Sequence, residues 1–382
     1  MSESNTLPMR MYIEPISKDV LERYLAVPDL TESKEPHAVK LLYQKIEAYI
    51  RVTHPDSRIV VYRGSPIVSV EDNYDNLLID KNNISRSSTY THYVDANHIL
   101  LTHDTAHIPG ILRRLAKKQD WEDVIILTPA VVYRRDVTDK KHLAAIHMLG
   151  IWRVCKKKKI VRQDLREVVE GLARVAAPGW KLRIVDMPHP YTTEGMEVNA
   201  VKGDRDIEIL ECGLINGQIL ANAGLDPKIY SGWASGIGLD RLVMTLKSIP
   251  DIRYLRSSNP KIAAQMRDLE PYREVSNQPA IQRDMSYSVP DDYVEEDINE
   301  YIRNALGGNV GILESVEVLS ETPYKELPDK IRARLGISSS QKNVLVRVTL
   351  RHLEKTLTKQ EANQLYEQIY SAVNHGTGGY LI

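Results

Sequence analysis

The sequence predicts an α+β protein: an antiparallel sheet flanked by helices, followed by a smaller β-α-β-β-α-β unit. Three observations carry this. Stretches with the period-two alternation of strands gather between residues 124 and 212, with helical stretches on either side. Residues 257–282 are polar, proline-bearing and weakly periodic, and they break the pattern as a linker does. Beyond them strand and helix signatures alternate to the C-terminus.

Taken in order, residues 1–35 carry little pattern and read as an N-terminal extension. Pro36 then opens a helix with Val39, Leu42, Ile46 and Ile50 on one face, proline being suited to a first turn. Arg58–Tyr62 and Ile67–Val70 read as short strands, and Asn76–Leu101 as a polar, turn-rich segment. His103 and His107 stand four apart, but no third metal ligand has sensible spacing, and Pro109 argues against a regular helix there. Val124–Leu127 and Ala130–Arg135 read as β, with Val132 and Arg134 on one face. A polar loop, Asp136–Lys141, follows them. The lysines Lys156–Lys159 read as a solvated face. A helix is expected at Asp164–Ala176, ended by Pro178-Gly179. Leu182–Asp186, Met196–Val201 and Ile207–Cys212 alternate as strands, with Glu208 on the polar side of the last.

After the linker, Met285, Tyr287 and Val289 alternate, and a helix runs from Val294 to Leu306, stopped by Gly307-Gly308. Val316 and Val318 alternate, then Val344, Val346, Val348 and Leu350. Thr358-x-x-Glu361 is a capping-box start for a helix with Leu365, Ile369 and Val373 inward, and Tyr380–Ile382 closes the unit as a strand. That order is the ferredoxin-like split arrangement.

Composition bounds the function. The chain has 382 residues, with 50 Lys+Arg against 51 Asp+Glu, so no global field recruits polyanions and any nucleic-acid contact is local. The two cysteines, Cys155 and Cys212, form no framework, which suits a reducing, cytoplasmic setting. No long apolar run and no secretory pattern at the polar start is seen, so no membrane partner is expected. Phenylalanine is absent while tyrosine occurs 20 times.

Two stretches carry chemistry. Ser231–Leu246 packs Gly232, Gly236 and Gly238 ahead of Leu239, Leu242, Val243 and Leu246, which have helical spacing, with Arg241 one turn in. Glycines let backbone approach a ligand, and a fixed guanidinium suits a phosphate. Upstream, Ala130–Met148 carries Arg134 on a strand and His142 after the loop. Together they resemble motifs 3 and 2 of a class II aminoacyl-tRNA synthetase. With the tail Arg347–Ile369 and Ile249–Arg253, the chain resembles the phenylalanine–tRNA ligase family in its single-chain, mitochondrial type over residues 36–382.

The resemblance implies a catalytic domain at 36–256 and a ferredoxin-fold anticodon-binding domain at 283–382. It implies ATP with Mg²⁺: Arg134 on the α-phosphate, Arg241 and His142 on the γ-phosphate, Gly236 and Gly238 beside the nucleotide, and Glu208 placing the metal. Arg134 and Arg241 become the catalytic pair, because carboxylate attack on a phosphate needs cations where charge develops. The implied substrate contacts are His103, Thr105, His147, Met148, His189, Tyr191 and Ala234. Here the chain departs from its family. Phe-His-Gln-x-Glu reads Ile146-His147-Met148-Leu149-Gly150, and Phe-Pro-Phe reads His189-Pro190-Tyr191. Thr-Ser-x-x-Gln beside His103 becomes Asp104, Thr105 and Ile108, and Ala-Phe-Gly becomes Ala234-Ser235-Gly236. The expected activity is therefore formation of an acyl-adenylate from ATP and a small amino acid or carboxylic acid other than phenylalanine, then transfer to tRNA, by a monomer or homodimer. The alternatives are an adenylate-forming ligase with a non-tRNA acceptor and a non-catalytic tRNA-binding paralogue.

Overall fold

The computed structural model describes residues 13–118, 120–135, 140, 142–156, 158–274, 278–352 and 354–378. The larger unit holds nine strands: β1 (Arg58–Val61), β2 (Ile67–Ser69), β3 (His98–Leu100), β4 (Asp123–Tyr133), β5 (Ala145–Cys155), β6 (Lys181–Asp186), β7 (Thr192–Lys202), β8 (Arg205–Ile215) and β9 (Ser231–Gly238). Seven of them form one sheet in the order β1-β4-β5-β9-β8-β7-β6. Its pairs are antiparallel except β1 with β4 at the edge.

Period two decides which face each residue takes. Leu127 of β4, Leu149 and Ile151 of β5, and Trp233 and Ile237 of β9 pack against the helices Ala38–Thr53 and Arg162–Ala176 through Ile46, Ile50, Leu165 and Val169. The opposite face, with Thr128, Gly150 and Gly236, is left for other work. Several expectations change. Val124–Leu127 and Ala130–Arg135 are one strand, β4, continuous through Pro129. Pro109 does not prevent a helix; it lies in the first turn of Ile108–Lys118, where its missing N–H costs nothing. The loop Asp136–Lys141 lies outside the described residues apart from Lys140, as does Lys157 of the lysine run.

The N-terminal segment is more than an extension. Its helix Lys18–Leu25 seats Tyr24 against the rings of His92 at 4.4 Å and Tyr133 at 5.8 Å. The linker also belongs partly to the first core: it contains the helix Pro260–Gln265, and Ile262 and Met266 are buried beside Leu255. The second unit pairs β10 (Ile281–Pro290), β11 (Leu313–Pro323) and β12 (Gln341–Leu350) in the order β10-β12-β11, covered by the helices Glu295–Leu306 and Lys359–Val373. The capping box is formed: Glu361 N–H donates to Thr358 Oγ1 at 3.2 Å, and Thr358 N–H to Glu361 Oε2 at 2.9 Å. The periodicity missed a short helix, Asp329–Leu335, and the closing strand Tyr380–Ile382 lies outside the described residues.

The two units meet through buried charge. Arg253 Nη1 donates to the carbonyls of Gly311, at 3.0 Å, and Leu313, while Asp251 neutralises it. Glu300, almost fully buried, accepts from Arg303 at 2.6 Å and from the Tyr24 hydroxyl at 3.5 Å, with Arg135 at 3.9 Å. Burial would raise the Glu300 carboxyl, but Arg303, His92 and Arg135 hold it at about 2. A carboxyl depressed from its ordinary value near ~4.3 stabilises the fold fully above that value, and the contribution fades as pH falls toward about 2. Glu300→Gln is expected to cost about 3–5 kcal/mol near neutrality, by stranding Arg303 and Arg135, and to flatten the acid limb of the stability curve. Urea unfolding at a series of pH values between 7 and 2 reads both effects.

Candidate active site

One row of residues across the sheet organises the site. Thr128 of β4 stands opposite Gly150 of β5, Gly150 opposite Gly236 of β9, and Gly236 opposite Glu211 of β8. All four share a face, so the middle of the row has no side chains. A Cβ at Gly236 or at Gly238 would meet nothing within 4 Å, so these glycines open the floor. The neighbouring rows are Met148 with Gly238, and Trp152 with Ala234 and Gly213. Trp152 and Ala234 are buried in the cluster beneath Tyr191.

At one end of this floor stand the arginines. Arg134, just past β4, donates from Nε to the Thr102 carbonyl at 3.2 Å and rests Nη2 against Met148 Sδ at 3.7 Å. Arg241 projects, exposed, from the first turn of the helix Leu239–Leu246, which Gly238 begins. Among the described residues neither guanidinium is ion-paired. Glu208 lies within the field of both, and its carboxyl is raised by desolvation and by repulsion from Glu211. Strict alternation would put Glu208 and Glu211 on opposite faces. A bulge prevents this: Leu210 pairs with Val198 and Glu208 with Asn199, leaving Ile209 unpaired and buried with Leu210 in the first core. Two carboxylates therefore share the site with two arginines.

At the other end is an acidic and aromatic pocket. His189 Nε2–H donates to Glu211 Oε2 at 3.0 Å, which holds the Glu211 carboxyl below its ordinary value. The His189 and Tyr191 rings stack at 5.7 Å, and Trp152 lies 6.0 Å from Tyr191. The Thr105 side chain lies beside the Tyr191 hydroxyl. Thr105 sits on the short turn Asp104–His107 with Asp104, whose carboxyl burial pushes up to about 7 against the opposing pull of its own backbone N–H, Thr128 and Arg134. His103 Nε2–H donates to the Asn73 carbonyl at 3.1 Å, and burial lowers its pKa to about 4.

Of the expected residues, Arg134, Glu208, Gly236, Gly238 and Arg241 gather at the first end, and Thr105, His189, Tyr191 and Ala234 at the second, with Met148 between. His142 lies at the return into β5, three residues before it. His147 does not face this site. It shares a face with Leu149 and Ile151 and is fully buried; Nδ1–H donates to Asp240 Oδ1 at 2.8 Å, and Nε2 accepts from Leu30 N–H at 2.8 Å. Both ring nitrogens are used, so its reading as a substrate contact is replaced by a structural one. Sequence reasoning missed Glu211, which only the bulge brings round, and Asp240, which is hidden inside the glycine-to-arginine motif.

Comparison with known proteins follows the same division. Residues 29–266 match the tRNA synthetases class II core domain (F), and residues 276–381 match the ferredoxin-fold anticodon binding domain. The chain is 28% identical over 353 residues to the chloroplastic/mitochondrial phenylalanine–tRNA ligase of Arabidopsis thaliana, covering 89% of this chain and 77% of that one. It is 27% identical over 400 residues to a probable mitochondrial phenylalanine–tRNA ligase of Drosophila melanogaster, covering 88% and 83%. The mitochondrial phenylalanine–tRNA ligase of Saccharomyces cerevisiae is 23% identical over 441 residues, covering 94% and 90%.

The glycine floor yields a clean test. Gly236 has no positive φ and open space above it, so Gly236→Val should leave stability within roughly 0.5 kcal/mol of the parent. The added side chain should weaken ATP binding by about 1.4 kcal/mol or more, a factor of ten. Thermal unfolding and calorimetric titration with ATP measure the two halves separately.

Proposed function

The chain belongs to the class II tRNA synthetase core (F) family and carries a ferredoxin-fold anticodon-binding domain, and from that premise we propose that it uses ATP and Mg²⁺ to activate an amino acid with a polar side chain, then charges a tRNA with it. The carrying observation is the pair of guanidiniums, Arg134 and Arg241, standing without ion-pair partners among the described residues over a floor that Gly236 and Gly238 keep clear. A binding module without ATP chemistry has no use for two such cations set beside two carboxylates.

The chemistry follows from placement. Attack of a substrate carboxylate on a phosphate builds negative charge on the phosphoryl oxygens. Arg134, aimed by its bond to Thr102, and Arg241, on a rigid helix start, meet that charge without reorganising. Holding nucleophile and phosphate in line supplies most of the remaining advantage. Glu208 and Glu211 are hard oxygen donors whose mutual repulsion a divalent cation would relieve; Mg²⁺ held there with the phosphates would neutralise further charge. The anticodon-binding match favours tRNA as acceptor over a protein or small molecule.

The substrate is argued from the pocket wall. The relatives named above are called phenylalanine–tRNA ligases. In this chain, however, the wall pairs His189 with Glu211 and stacks it on Tyr191. A phenyl ring there would lie against a charge-assisted hydrogen bond it cannot join, whereas a polar side chain can exchange with it.

ATP–pyrophosphate exchange across the twenty amino acids is expected to show a polar amino acid ahead of phenylalanine. Phenylalanine in the lead would overturn the substrate assignment, and no exchange with any amino acid would overturn the activity. With the best substrate, Arg134→Ala and Arg241→Ala should each lose about 1.5–3 kcal/mol of transition-state stabilisation, roughly 10- to 150-fold in rate, with unfolding unchanged.

A further inference from the structure

Asp104 is a buried carboxylate whose partners do not account for it. It is 1% exposed. Oδ2 accepts one bond, from Thr128 Oγ1 at 3.3 Å, while Oδ1 is buried with no hydrogen-bond partner. Arg134 is near enough to lower its pKa, yet that guanidinium is directed to Thr102 and Met148. A fold keeps an incompletely bonded buried acid where something else completes it.

Its position says what that is. A Cβ added to Gly150 would fall 1.8 Å from Asp104 Oδ2 and 2.4 Å from Thr128 Oγ1. The Asp104 carboxylate therefore fills the volume that a side chain at position 150 would occupy, and an acid at 104 requires glycine at 150. The two departures noted in the sequence, an aspartate gained at 104 and a glutamate absent at 150, are one exchange. The neighbouring His103 adds a second open acceptor. Its Nε2–H is committed to the Asn73 carbonyl, so Nδ1 presents a lone pair, buried and without a partner. Asp104 thus brings an unfilled acceptor into the row that ends beside Tyr191 and Glu211, and His103 Nδ1 is a second on the preceding residue. An ammonium, with three donors and no acceptor, is the complement of such a set.

Resting on the synthetase reading above, we propose that Asp104 is the residue that binds the α-ammonium group of the amino-acid substrate, delivering from the turn before the helix Ile108–Lys118 the carboxylate that β5 does not supply. The substrate class follows: an α-amino acid, and not a carboxylic acid lacking the amine. The groups facing Asp104 are Arg134 at the end of β4, the hydroxyl of Tyr191 and the Thr128 hydroxyl bonded to it. With its carboxyl pushed up to about 7 by burial, Asp104 gives up its proton when the ammonium arrives, so amino-acid binding strengthens as pH rises through that range.

The experiment uses the full chain and pyrophosphate exchange with whichever of the twenty amino acids it activates best. Asp104→Asn should raise the amino-acid KM by about 10- to 100-fold, leave the ATP KM within about twofold, and remove the rise in affinity across neutral pH. It should melt no lower than the parent, since it removes a buried charge. An unchanged amino-acid KM and pH profile in Asp104→Asn, in a parent that exchanges normally, would overturn this proposal and leave the synthetase reading standing. No exchange by the parent would overturn both.

Discussion

A single buried carboxylate holds the working parts of the catalytic unit in register. Asp240, 1% exposed, accepts from the His147 backbone N–H at 3.0 Å and from its ring at 2.8 Å, with Arg256 at 3.6 Å. Burial alone would raise its pKa, yet His147 and Arg256 keep it charged, at about 2. His147 passes the connection on to the backbone of Leu30. One acid thus binds the helix Leu239–Leu246, strand β5, the turn Ile252–Arg256 and the N-terminal segment. Arg241 is the next residue, turned outward from the same helical turn, so whatever moves Asp240 moves Arg241. The cost of burying an ion is offset by two hydrogen bonds and an ion pair, which is the condition under which such a group persists.

That anchor leaves the other face of β5 free to line the site. Gly150 and Gly236 remove side chains from the middle of the sheet, and the space is bounded by groups from elsewhere: Asp104 from a turn, Glu211 from beyond a bulge, His189 and Tyr191 from the segment ahead of β7. The scaffold and the two arginines, Arg134 and Arg241, come from the ends of regular elements. The amino-acid end is built from irregular ones, where a single residue change redirects a carboxylate without disturbing the packing.

The aromatic composition has a parallel consequence. With no phenylalanine and 20 tyrosines, a core aromatic here brings a hydroxyl that must be satisfied. The fold does so with backbone carbonyls: Tyr366 donates to Ile281 at 2.6 Å, Tyr93 to Arg86 at 2.6 Å, and Tyr74 to Ser85 at 2.8 Å. Each bond joins a core ring to a strand edge or turn that a phenyl ring would have left to water. The substitution of one aromatic for another is thus paid in geometry, by placing an acceptor over each ring.

What was legible in the sequence divides along the same line. Alternation and helical periodicity report on long elements that bury one face, so the sheet, the flanking helices and the capping box at Thr358 were all readable. Contacts made across turns leave no periodic trace. Nothing local in His103-Asp104-Thr105 says that Asp104 will fill the volume above Gly150, 46 positions away in the chain, or that Tyr24 from an unpatterned N-terminus will sit on His92. The same limit misplaced His147: motif resemblance assigned it to the substrate, while parity with Leu149 and Ile151 had already put it on the core face. Where a motif spans a strand, alternate residues serve opposite faces, and only those sharing the parity of Gly150 can touch a substrate. Applied to Ile146-His147-Met148-Leu149-Gly150, that rule leaves Ile146, Met148 and Gly150 on the site face, and it is the missing side chain at Gly150 that gives the acid at 104 its place.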